Sequence, residues 1–319
     1  MNRTLLAALL VAPGLLGGCA GASETAATGE LAEHTITVGE RERDYLFYVP
    51  AGLANGAEPR PLVMVFHGGG GKSTQIAREV GPTLQPIADR EGFFIVYPNA
   101  VDKMWDFGAG KVSEELKERV DDRGYFGALL RELTSTYPID EDRIFATGIS
   151  RGGQASYFVA CVFQGQIRAI APVAMPMPVF MRTLCKDAKS TGVAIFNGTD
   201  DPLVPYGGGE IKVGRKTRGE VMSTDATVDF WRTVNGCSPD PTATATIDNK
   251  DDGMRVVKTS YERCKGDPVL LYRIEGGGHT WPNGSQYLPR FLVGDVDRDI
   301  DGATEVWKFF STFKSAGRP

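Results

Sequence analysis

Ala146-Thr147-Gly148-Ile149-Ser150-Arg151-Gly152-Gly153 is the stretch that decides the fold. A strand-like run, Arg143-Ile144-Phe145-Ala146, leads into it, and a helix-like run over 154–163 leaves it. Ser150 stands at the centre of Gly-x-Ser-x-Gly. A strand that turns sharply into a helix needs this pattern, because the flanking glycines let the two backbones pack closely and leave the hydroxyl exposed at the tip. The pentapeptide alone is common by chance. The strand before it and the helix after it give it structural meaning.

A serine hydroxyl is a poor nucleophile at pH 7 and needs a base. The chain has only three histidines, His34, His67 and His279. His34 lies at the very start of the first strand expected in the domain. His67 opens His67-Gly68-Gly69-Gly70-Gly71 and reads as part of an oxyanion loop. There the backbone N–H groups of Gly68 and Gly69, with that of Arg151, would hold a developing negative oxygen. His279 remains as base, in Glu275-Gly276-Gly277-Gly278-His279-Thr280-Trp281-Pro282, directly after a strand-like run over 269–274. The acid should lie between serine and histidine, and the loop after the run 192–196 offers Asp200 and Asp201. This order, with each member just past a strand, fits the α/β-hydrolase.

The rest of the chain supports a mostly parallel, doubly wound sheet flanked by helices. Leu62-Val63-Met64-Val65-Phe66 is apolar without alternation, the mark of a strand buried on both faces. Strands are expected over 34–38, 44–49, 62–66, 93–97, 143–146, 167–173, 193–196 and 269–274. Helices are expected over 74–90, 121–136, 154–163, 221–234 and 303–314, and 204–219 reads as a surface loop. Strands alternating with helices give one α/β domain over 34–319. Gly68-Gly69-Gly70-Gly71-Lys72-Ser73-Thr74 could suggest a phosphate-binding loop, but that motif would put its first glycine on Phe66, which cannot make the turn.

The amino-terminus reads as a leader over 1–18. Its apolar part, 4–16, is shorter than the roughly 20 residues of a membrane span. Leu16-Gly17-Gly18-Cys19 resembles a bacterial lipobox, so Cys19 is the expected lipidation site, and 19–33 is expected to be a flexible tether. The protein is therefore expected to be an exported, membrane-anchored lipoprotein of the cell envelope or an extracellular one. The other cysteines, Cys161, Cys185, Cys237 and Cys264, allow three pairings. Cys161–Cys185 and Cys237–Cys264 are expected because each pair flanks one local excursion. No Cys-x-x-Cys or Cys/His cluster suggests a metal, and the net charge of −5 argues against nucleic acid as a partner.

Taken together, the segments 61–70, 122–126, 139–150, Gly198-Thr199-Asp200-Asp201-Pro202-Leu203-Val204-Pro205-Tyr206 and Glu275 to Pro282 resemble the polyhydroxybutyrate depolymerase/feruloyl esterase family of secreted α/β-hydrolases, including its lipoprotein members. The resemblance runs from about residue 34 to 313. It implies a serine carboxylic-ester hydrolase with a Ser-His-Asp triad, without cofactor, acting on a small-molecule or oligosaccharide ester. The family's acid precedes the proline, which selects Asp201 over Asp200. Its late cysteines match Cys237 and Cys264. Arg151 departs from the small residue of many members, and its side chain could restrict or recruit an acidic substrate. Trp281, Trp105, Phe107 and Tyr206 are candidate pocket residues. A non-catalytic carbohydrate-binding lipoprotein and a serine peptidase are the competing readings.

Overall fold

The structure is a computed structural model and describes residues 28–52, 58–110 and 120–315. The leader, Cys19 and the tether to residue 27 lie outside the described residues. Strand β3 (Arg60–Phe66) shows why the sheet lies at the centre. Leu62, Met64 and Phe66 point into one core, while Val63 and Val65 point into the other. A strand whose two faces are both apolar must be covered on both sides.

Around it lie β1 (Glu30–Val38), β2 (Arg41–Val49), β4 (Phe94–Pro98), β5 (Ile139–Ile149), β6 (Ile167–Val173), β7 (Gly192–Gly198), β10 (Ala243–Ile247), β11 (Arg255–Tyr261) and β12 (Val269–Glu275). The ten strands are ordered β1-β2-β4-β3-β5-β6-β7-β12-β11-β10. The six from β4 to β12 are parallel. Antiparallel pairs extend the sheet at both ends.

Helices α1 (Ser73–Glu91) and α7 (Gly302–Phe310) cover one face. Helices α2 (Asp122–Thr136), α3 (Arg151–Val162) and α5 (Thr224–Asn235) cover the other. Two short helices, α4 (Met181–Leu184) and α6 (Arg290–Val293), lie in loops. The doubly wound α/β-hydrolase architecture expected from the sequence is the one observed.

Two expectations are corrected. Strand β1 begins at Glu30, so residues 30–33 are strand and not tether. They pair with 46–49 of β2, laying a mostly exposed edge strand beside a mostly buried one. Residues 204–219 are not simply a loop: β8 (Gly209–Val213) and β9 (Lys216–Val221) form a separate antiparallel hairpin. Cys161–Cys185 and Cys237–Cys264 are both disulfide-bonded, spanning 24 and 27 residues. Closing loops of that size stabilises a fold by about 3 kcal/mol each.

The register aligns the functional strand ends. Phe66 pairs with Gly148, Ile149 with Val173, Val173 with Phe196, and Phe196 with Tyr272. Everything that follows β3, β5, β7 and β12 therefore leaves the sheet along one edge.

Candidate active site

Ser150 follows β5 immediately and has φ 58° and ψ −122°. A residue with a Cβ pays about 1–3 kcal/mol for such a backbone conformation. Its surroundings leave no alternative. A Cβ on Gly148 would lie 2.5 Å from the Phe66 carbonyl oxygen, and one on Gly152 would strike the same carbonyl. Strand β5, helix α3 and the end of β3 thus meet without side chains between them. The turn is forced tight, and Ser150 is left half-buried at its tip.

The Gly68–Gly69 backbone lies against this turn. A Cβ on Gly68 would sit 3.5 Å from the Ser150 Cβ, and one on Gly69 3.7 Å from the Arg151 Cβ. His67 holds the loop in place. Its Nε2 accepts from the Ala100 N–H at 3.1 Å, so the ring proton is on Nδ1, which donates to the Gly68 carbonyl at 2.7 Å. Burial pushes its pKa down to about 4. The indole of Trp105 donates to the His67 carbonyl at 2.9 Å. His67 is a neutral structural histidine and no base.

His279 lies in the loop after β12, and its Nδ1–H donates to Asp201 Oδ2 at 2.6 Å. The two side chains are 4% and 2% exposed. The other oxygen of Asp201 accepts from the amides of Leu203 and Val204, both at 2.8 Å. A carboxylate fixed on three sides sets one histidine tautomer and leaves Nε2 with its lone pair outward. Asp200 is exposed, and among the described residues its side chain accepts only from the Thr199 hydroxyl. The two adjacent acids are separated by the direction of the loop.

No protein-family model matches the chain. A protein of Nocardia uniformis subsp. tsuyamanensis named as an esterase, NocK, is 28% identical over 292 residues, covering 84% of this chain and 79% of that protein. Feruloyl esterase B of Piromyces equi is 27% identical, covering 76% of this chain and 43% of the longer relative. The acetyl xylan esterase structure from Aspergillus awamori superposes with a TM-score of 0.58 at 14% identity, over 88% of this chain and all of that one. The chain has the α/β-hydrolase fold and is similar over most of its length to esterases, feruloyl esterases among them.

Within this hydrolase several proposed pocket residues sit elsewhere. Trp105 is fully buried, in contact with the rings of Phe66, His67 and Phe126. Phe107 is buried against Phe158. Trp281 is buried in the opposite core, against α7. Bulky aromatics beside a strand end are drawn into the core by the area they remove from water, so these three form walls behind the site and present no surface to a substrate. Tyr206 is half-buried, with its hydroxyl 3.3 Å from Asp225.

Arg151 is also corrected. Its guanidinium is buried, donates twice to the Trp105 carbonyl and once to Gln154, and lies over the Phe107 ring. Burial lowers its pKa to about 10, with Asp106 and Asp122 opposing the fall. It ties the elbow to the Trp105 loop and is not available to recruit an acidic ligand. The sequence pattern also missed the residues that hold the histidine loop. The His279 N–H donates to the Val293 carbonyl at 2.5 Å, and the Tyr287 hydroxyl donates to the His279 carbonyl at 3.0 Å. Backbone partners of this kind leave no mark in a sequence.

Proposed function

We propose that Ser150, His279 and Asp201 act as the triad of a serine carboxylic-ester hydrolase. The observation that carries this reading is the buried 2.6 Å contact between His279 and Asp201 at the sheet edge from which the strained Ser150 also projects. His279 Nε2 takes the serine proton as Oγ attacks the ester carbonyl. The negative oxygen of the tetrahedral intermediate is held by the amides of Gly68, Gly69 and Arg151. The proton on Nε2 then passes to the leaving alkoxide. Water, deprotonated by the same nitrogen, releases the acid from the acyl-enzyme. Asp201 stabilises the imidazolium formed in each half. No step calls for a cofactor.

Two relatives are named for feruloyl and acetyl xylan ester cleavage. Feruloyl or acetyl esters of polysaccharides are accordingly the substrate classes proposed for this chain, and the motif resemblance adds hydroxybutyrate oligomers. Two disulfides suit an oxidising compartment, and Cys19 is proposed as a lipid anchor. Hydrolysis of p-nitrophenyl acetate and methyl ferulate by the protein, beside Ser150→Ala, tests the chemistry. Turnover that persists in the variant would sink the triad. Persistent membrane association after Cys19→Ser would sink the anchor.

A further inference from the structure

Beside His279 runs a segment from Asn283 to Gly294 in which Val293 is buried and the other large apolar side chains face solvent. Tyr287 is 47% exposed, Leu288 44%, Phe291 81% and Leu292 43%. Four large apolar groups exposed within six residues form a patch of the kind that marks a binding surface.

The patch is rigid and tied to the reacting centre. At its start, Glu79 of α1 accepts from the Ser285 N–H at 2.6 Å and also bonds the Ser285 hydroxyl. At its end, the Gly278 N–H donates to the Asp295 carbonyl at 2.9 Å. In between, the Gln286 amide donates to the carbonyls of Leu288 and Gly294 and closes the segment on itself. His279 is held from both sides, through Val293 and Tyr287. The charge of Asp201 helps to raise the pKa of the Tyr287 hydroxyl, behind the larger effect of burial, which places that ring near the His279–Asp201 pair.

We propose that Tyr287, Leu288, Phe291 and Leu292 form a preformed platform for the neutral apolar part of the ester, an aromatic ring or branched alkyl group bound beside His279. This rests on the esterase reading above. Charge narrows the occupant. Asn283 to Gly294 carries one charged residue, Arg290, and it is paired with Asp295 at 2.9 Å. An anionic membrane surface is met by clusters of unpaired Lys and Arg, which this segment lacks. A second copy of the chain would need about 800 Å² from each partner, whereas four partly exposed side chains present on the order of a few hundred. One ring-sized group fits. Because the segment is already ordered, little conformational freedom is lost on binding.

The test compares methyl cinnamate with methyl acetate, following acid release by wild type and Phe291→Ser. Phe291 is so exposed that its loss should leave the fold intact, which the melting temperature checks. The cinnamate-to-acetate ratio of kcat/KM is expected to fall about tenfold, chiefly through KM. In the Ser150→Ala background, methyl cinnamate binding measured by ligand-observed NMR should weaken by a similar factor on adding Phe291→Ser. An unchanged ratio together with unchanged binding would overturn the platform, as would an equal loss on both esters. Binding to phosphatidylcholine vesicles, or a dimer in sedimentation velocity, that is lost in Phe291→Ser would overturn it in favour of another occupant. If Ser150→Ala retains turnover, the triad fails, while the binding comparison still judges the platform.

Discussion

Two histidines follow parallel strands of one sheet and sit beside glycine-rich turns, yet their surroundings suit them to opposite uses. His67 is wedged between the Ala100 amide and the Gly68 carbonyl, so both ring nitrogens are spent on backbone. His279 gives one nitrogen to the Asp201 carboxylate, and its backbone is held by Tyr287 and Val293. Burial is similar in the two cases. The difference lies in the partner: a carboxylate stabilises the charged ring that proton transfer creates, whereas an amide donor opposes it. A buried histidine becomes a base when something nearby welcomes its proton.

The comparison breaks most visibly at Ser150, the nucleophile proposed for His279 and not for His67. Ser150→Ala should lower kcat by at least about 10⁴-fold with the melting temperature retained. Asp201→Asn should cost about 10³- to 10⁴-fold in kcat, because the amide fixes the wrong tautomer and cannot support the cation. Circular dichroism should show an unchanged fold, and activity near that of wild type would remove Asp201 from the mechanism.

His67 should reveal itself in stability. Its folded pKa of about 4 lies below the ordinary 6.5, so between those values the unfolded chain binds more protons. The contribution is complete above pH 6.5 and is lost as pH falls towards 4, amounting to about 3 kcal/mol. Urea unfolding from pH 7 to pH 4 should show this loss in wild type, and His67→Asn should lack that part of the slope. Tyr287→Phe should have the smallest effect, about a threefold fall in kcat, since it removes one half-exposed hydrogen bond to the His279 carbonyl. A fall as large as that of Asp201→Asn would mean that the loop depends on this one contact.

The parallel core was legible because 62–66 is apolar on successive positions, and only a strand covered on both faces tolerates that. The contact of His279 with Asp201 was legible because three histidines left little choice. Strand β10 was not, since Ala243–Ile247 lies mostly exposed and carries no apolar face to betray it. The hairpin of β8 and β9 is likewise exposed and glycine-rich. The aromatic residues failed for a different reason. Trp105, Phe107 and Trp281 are of types suited both to cores and to ligand walls, and only the packing decides between them. Arg151 looked like a surface charge because its partners, the Trp105 carbonyl and the Phe107 ring, come from a loop far away in sequence.

The left-handed backbone at Ser150 has a consequence for how the protein can change over time. A glycine there would relieve the strain, so selection for thermal robustness acting alone would favour replacing the very side chain proposed as the nucleophile. On that proposal the serine persists only under selection for chemistry. A lineage released from that demand should drift at this residue first, towards a sturdier protein that does nothing.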